Sequence, residues 1–157
     1  MVKIRTAEEK DAQRVIRLLG QIAALHHKGR PDVFKPGASK YTTEQFKEKL
    51  KDKDSPIFVA VDAHDEVMGY CFCIINRHQG HFLFQDSIVL YIDDFCVDES
   101  LRGQGIGKTL FAAVHKYAQG IGAHRIELNV WVFNEEAVQF YKGLGFATQC
   151  HKLELML

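Results

Sequence analysis

The 157-residue sequence has little proline, a single tryptophan and no excess of either charge. Three prolines and twelve glycines without a repeating spacing exclude a collagen-like or linker-dominated chain. Twenty Lys and Arg against twenty Asp and Glu leave no net field toward a phosphate backbone or an anionic membrane, and no basic stripe runs along any segment. Nucleic acid and membranes are therefore not expected partners. No apolar run approaches the roughly 18 residues of a membrane span, and Met1–Thr6 has no signal core, so a cytoplasmic location is expected. The four cysteines, Cys71, Cys73, Cys96 and Cys150, lack the paired spacing of zinc sites and are expected to be reduced core thiols. His26 and His27 diverge by about 100 degrees on a regular helix, so they do not ligate one ion there, and no metal is expected.

What the chain does have is periodicity. Apolar residues at 46% and charged residues at 25% match an ordinary globular protein, so residues 1–157 are read as one domain around one core. Val2–Thr6 alternates like a strand, and Ala7–His27 carries Ala12, Val15, Ile16, Leu19, Ile22, Ala23 and Leu25 at helical spacing. Gly29, Pro31, Pro36 and Gly37 make Lys28–Lys40 a loop, and Thr42 followed by Gln45 is a capping-box signature for a helix reaching Asp52. Pro56–Asp62 and Val67–Asn76 read as a hairpin, and Ser87–Val97 as another strand. Then follow a helix over Lys108–Gln119, a strand over Arg125–Val132, a helix over Glu135–Gly143 and a last strand over Ala147–Leu155. Strand pairs first and strand–helix alternation later imply an α/β domain, a mixed sheet with helices on its faces.

Arg102, Gly103, Gln104, Gly105, Ile106, Gly107 and Lys108 join a strand to a helix. Such a turn is an anion site, because the first helical N–H groups lack partners and the helix dipole favours negative charge. The three glycines are expected to let phosphate oxygens reach the backbone. A P-loop closing on Gly107, Lys108 and Thr109 requires glycine where Arg102 stands. A dinucleotide fingerprint starting at Gly103 requires glycine at Lys108, and one starting at Gly105 requires it at Leu110. Both of those readings fail.

Arg102, Gly105 and Gly107 do match the pyrophosphate loop of the GNAT acetyltransferases: Arg or Gln, two residues, Gly, one residue, then Gly or Ala. Further along, Asn134, Ala137, Phe140, Tyr141, Gly145 and Phe146 are similar to that family's second motif, the helix and turn along the pantetheine arm. The chain thus resembles a GNAT protein, most strongly from Asp94 to Phe146. The resemblance implies a mostly antiparallel sheet splayed near its middle, with acetyl-CoA wedged in the splay. It implies acetyl transfer to a primary amine by direct attack. It also implies that Phe95, Cys96 and Val97 present a backbone donor to the thioester carbonyl, that the glycine loop and Asn134 hold the cofactor, and that two copies pair through the last strands as a homodimer.

A primary amine with pKa about 10.4 must lose a proton before attacking a thioester, and an acid helps the thiolate depart. The resemblance puts Tyr141 in the place of that acid, in contact with the cofactor. Its plain structural reading is a packing aromatic, and that of Asn134 is a helix N-cap. Asp93 and Asp94 are the candidate bases, directly or through water; strand neighbours face opposite sides, so only one is expected to face the acceptor, and Asp93 is the choice. Pairing of both carboxylates with an arginine or a helix end is the alternative. Cys96 is expected to pack. The acceptor, an amine-bearing small molecule or protein, is expected against the first helices and their connection, where His27, Arg30, Asp32 and Phe34 join Asp93 as candidate binding residues. A sensor of acyl-CoA without turnover is the rival class; it has no need of Tyr141 or Asp93.

Overall fold

A computed structural model describes all 157 residues. Four strands, β1 (Lys3–Thr6), β2 (Ile57–Val61), β3 (Val67–His78) and β4 (Ser87–Val97), pair antiparallel in chain order, and β5 (Arg125–Leu128) joins β4 in parallel. Helices α1 (Ala12–Gly29) and α2 (Thr43–Lys49) cover one face and α3 (Ile106–Gly120) the other, while α4 (Glu135–Gly143) follows β5. β2 is buried at every position because both faces of the sheet are covered there. Val15, Leu18, Leu19, Phe46, Tyr70 and Phe72 fill the first side; Cys71, Leu90, Ile106, Leu110 and Val114 fill the second.

Local signals seat the helices. The Thr42 hydroxyl accepts from the Gln45 N–H at 3.1 Å while the Gln45 side chain accepts from the Thr42 N–H at 2.9 Å, the reciprocal cap that the spacing predicts. The Asn134 side chain accepts from the Ala137 N–H at 3.2 Å and caps α4.

Two irregularities of β4 coincide. Phe72 pairs with Asp94 and Cys73 with Ile92, which leaves Asp93 as the extra residue of a β-bulge. Leu90 and Ile92 pack toward α3 before the bulge, and Phe95 and Val97 do so after it, so the alternation changes phase at Asp93. Pairing with β5 runs from Val89↔Arg125 to Ile92↔Leu128 and stops. The sheet therefore opens beside the bulge.

Several expectations are corrected. Ala147–Leu155 is not a strand: residues 147–157 are exposed and make no backbone hydrogen bond, and a ladder needs a partner. β5 ends at Leu128, not Val132, for the same reason. α1 continues past His27 through Gly29, with the Arg30 N–H bonded to the His26 carbonyl at 2.9 Å. A side chain at Gly29 would displace the Phe133 ring, 2.3 Å from where its Cβ would lie. Cys150 is exposed because no strand forms around it, whereas Cys71, Cys73 and Cys96 are buried. No helix is long and apolar enough to cross a membrane.

Candidate active site

The bulge decides where the two carboxylates go. Asp93 and Asp94 do not point to opposite faces, as alternation predicts; both turn toward the α1–α2 side, where Tyr41 donates its hydroxyl to Asp93 and Tyr70 donates to Asp94 at 2.9 Å. Lys40 bridges them. Its Nζ lies 3.1 Å from Asp93 Oδ1 and 3.6 Å from Asp94 Oδ2, and donates to the Asp93 carbonyl at 2.6 Å. Burial pushes the Asp94 carboxyl above its ordinary range, against the pull of Lys40 and the Tyr70 hydroxyl. Burial, and then the bond to Asp93, likewise raises the Tyr41 phenol. The arginine or helix end considered as a structural partner is replaced by a lysine and two phenols.

The glycine loop follows the same, C-terminal end of β4. Gly105 is the N-cap of α3 with φ of 81°, a left-handed conformation that a side chain disfavours. None of the backbone N–H groups from Arg102 to Lys108 has a partner within the chain, so the turn presents a run of free donors at a helix start. The side chains of Gln104 and Lys108 are exposed beside it, while Ile106 is buried and offers only its backbone. Arg102 reaches back to the Val97 carbonyl at 3.3 Å. A Cβ at Gly107 would lie 3.2 Å from the Phe140 ring, so its small size also serves the packing of α4 on α3.

Tyr141 lies on α4. Its ring packs against Phe95, Phe140 and Phe146 at centroid distances of 6.3, 5.3 and 5.6 Å. The hydroxyl makes no hydrogen bond within the chain, and burial, reinforced by nearby thiols and Asp94, raises the phenol above its ordinary range. It keeps its proton at neutral pH. The Phe95 side chain closes the base of the opening against α4. Cys96 is a core residue, its thiol pushed up to about 12 chiefly by burial, which suits packing and not nucleophilic attack.

The loop after α1 is more ordered than its composition suggests. His27 Nδ1 lies 2.7 Å from the Phe34 carbonyl, and Arg30 pairs with Asp32 at 2.7 Å and with Glu154 at 2.6 Å. Those side chains are occupied with one another and with the tail. Phe34 instead stacks on His26 and meets Trp131 edge-on, and Trp131 stacks on Phe133, forming an aromatic wall. His26, Lys40, Tyr41, Tyr70, Trp131 and Phe133 escape the sequence reading. No local pattern brings them together, since Lys40 and Asp93 stand 53 residues apart.

Residues 21–146 match the family model described as Acetyltransferase (GNAT) family. The chain is 26% identical to the thialysine N-epsilon-acetyltransferase of Bos taurus over 92% of this chain and 83% of that protein. It is 40% identical to the L-ornithine N5-acetyltransferase NATA1 of Arabidopsis thaliana over 61% of this chain and 41% of that protein. The chain spans less than half the length of several such relatives. Among solved structures, a mutant of the BH1408 protein from Bacillus halodurans superposes with a TM-score of 0.95 at 32% identity, covering 99% of each chain.

Proposed function

The chain belongs to the GNAT acetyltransferase family, and on that premise we propose that it transfers acetyl from acetyl-CoA to a primary amine held at Asp93 and Asp94. The observation that carries this reading is Lys40, a primary ammonium already bound by both carboxylates where β4 and β5 part. That arrangement fits an acceptor ending in an amine on a flexible chain, as the names of the ornithine and thialysine relatives do.

Each residue then has one task. The free N–H groups at Gly105, Ile106, Gly107 and Lys108, with Gly103, Gln104 and the cation of Arg102, take the pyrophosphate. Asn134 and the backbone of Phe95, Cys96 and Val97 line the opening, where a fixed donor stabilises charge on the carbonyl oxygen. Acetyl-CoA supplies the activated acyl group when bound. Asp93 accepts the amine proton, and Tyr141, protonated and free of protein partners, gives a proton to the departing sulfur. Phe34 and the aromatic wall flank the acceptor, with His27, Arg30 and Asp32 shaping the loop behind it. A sensor would have no use for a base at Asp93 or an acid at Tyr141.

A second copy of the chain is the partner we assign to the tail. Leu153, Leu155, Met156 and Leu157 are exposed, and the backbone around them lacks partners, as a strand awaiting a neighbour would. Free thiols at every cysteine favour a reducing compartment, and we read the protein as cytoplasmic.

Calorimetric titration with acetyl-CoA, followed by an amine panel scored for thiol release, tests the central reading. Binding with release for terminal alkyl amines supports it. Binding without release moves the weight to a sensor, and no binding overturns the reading.

A further inference from the structure

We propose that Lys40 is itself an acceptor: the chain acetylates its own Lys40 side chain in cis, and until it does so that side chain fills the subsite meant for an external amine. The inference rests on the acetyltransferase reading above and deepens it. Lys40 is the only ion-pair partner of Asp93 and Asp94, and it reaches them from a loop between α1 and α2 with 41% of its side chain still exposed. A residue so placed can enter and leave the subsite without unpacking the core. Tyr41, next to it, anchors the loop through its bond to Asp93 and its stacking on Phe72 at 5.3 Å. An amine held beside the reacting centre by its own chain has a large kinetic advantage over lysines that must collide with it.

The step balances without any further reactant. One proton leaves the Lys40 ammonium by way of the Asp93 carboxylate to solvent. The nitrogen lone pair forms a bond to the acetyl carbonyl carbon, and the C–S bond breaks with its electron pair on sulfur. The second nitrogen proton offsets that thiolate, so the products are one acetyl-lysine, one free coenzyme A thiol and one released proton. Acetylation removes the charge from Lys40, and the carboxylate pair loses the cation that competes with an incoming one.

The experiment uses the whole chain with acetyl-CoA and no added amine, followed by thiol release, intact mass and peptide mapping. The expected result is a single equivalent of thiol per chain, acetyl placed on Lys40, a first-order rate constant per chain independent of protein concentration, and slowing by an added alkyl amine. Lys51, 67% exposed on the surface, reports background acetylation and is expected to lag far behind. Lys40→Arg, which keeps the cation but cannot give a stable acetyl amide, abolishes the single-equivalent release. Lys40→Gln, a neutral stand-in for the acetylated side chain, lowers the KM of a cationic acceptor relative to Lys40→Arg. Acetyl spread over exposed lysines, or a per-chain rate constant that rises with protein concentration, overturns the proposal. So does an unmodified Lys40 in a protein that releases thiol with an added amine, an outcome that leaves the acetyltransferase reading standing. Failure to bind acetyl-CoA at all overturns both.

Discussion

Residues 1–98 contain four antiparallel strands paired in order and most of the buried side chains, whereas no residue after Ala118 is buried and the chain beyond Phe146 makes no backbone hydrogen bond. The two regions meet where β4 and β5 part, just before the candidate carboxylates Asp93 and Asp94. The first region, with α3 over its second face, pairs its strands and buries most of its apolar side chains. The second leaves donors, an edge and apolar side chains for something else to satisfy. Binding elements are drawn from the less self-sufficient part of a fold, and a rigid neighbour gives them a fixed reference.

The contrast breaks if the two regions respond alike to substitution. Phe46→Ala, in the core under α2, is expected to cost about 3–5 kcal/mol by denaturant unfolding. Leu153→Ser in the tail should stay within about 0.5 kcal/mol for the monomer while weakening association in sedimentation; equal costs would show that the tail belongs to the core. Next in size, Tyr141→Phe is expected to lower turnover by roughly 100-fold with little change in acetyl-CoA affinity. Unchanged turnover across pH removes Tyr141 as the acid.

Gly105→Val sharpens the contrast at the loop. A β-branched residue at a φ of 81° is strained by about 1–3 kcal/mol, and the turn that aims the free N–H groups must shift. Acetyl-CoA affinity should fall by roughly tenfold or more, and an unaltered calorimetric constant would sink the phosphate assignment. The smallest effect concerns acid. Asp65, bonded to Arg5 and Lys10, has its carboxyl held down to about 2 from 3.8. A lowered folded pKa contributes stability above the unfolded value and loses it as pH falls through the folded one. Between pH 3.8 and about 2, wild type should therefore lose more stability than Asp65→Asn; matching slopes mean that this exposed network is screened by solvent.

Much of the fold was legible from residues alone. The Thr42–Gln45 cap, the Asn134 cap, the limits of β4 and α4, and the glycine turn all appear where local pattern puts them. Those features depend on neighbours within a few residues. Asp93 was legible as unusual, but its direction was not, because a bulge inserts one residue and no period-2 rule registers the insertion. Gly107 carried the motif, and its closeness to Phe140 is a contact made only when α4 docks on α3. Ala147–Leu155 has the composition of a strand and lacks the partner that makes one.

By itself, then, the sequence determined the order of elements, their caps and the left-handed turn before α3, because each is set by short-range backbone geometry and side chains a few positions apart. The tertiary structure alone decided that both carboxylates face one side, that Lys40 meets them across 53 residues, and that the tail stays unpaired. Those outcomes depend on how strands register against each other and on which surfaces find a neighbour. Such pairings are made in space, between residues that carry no trace of one another in the chain.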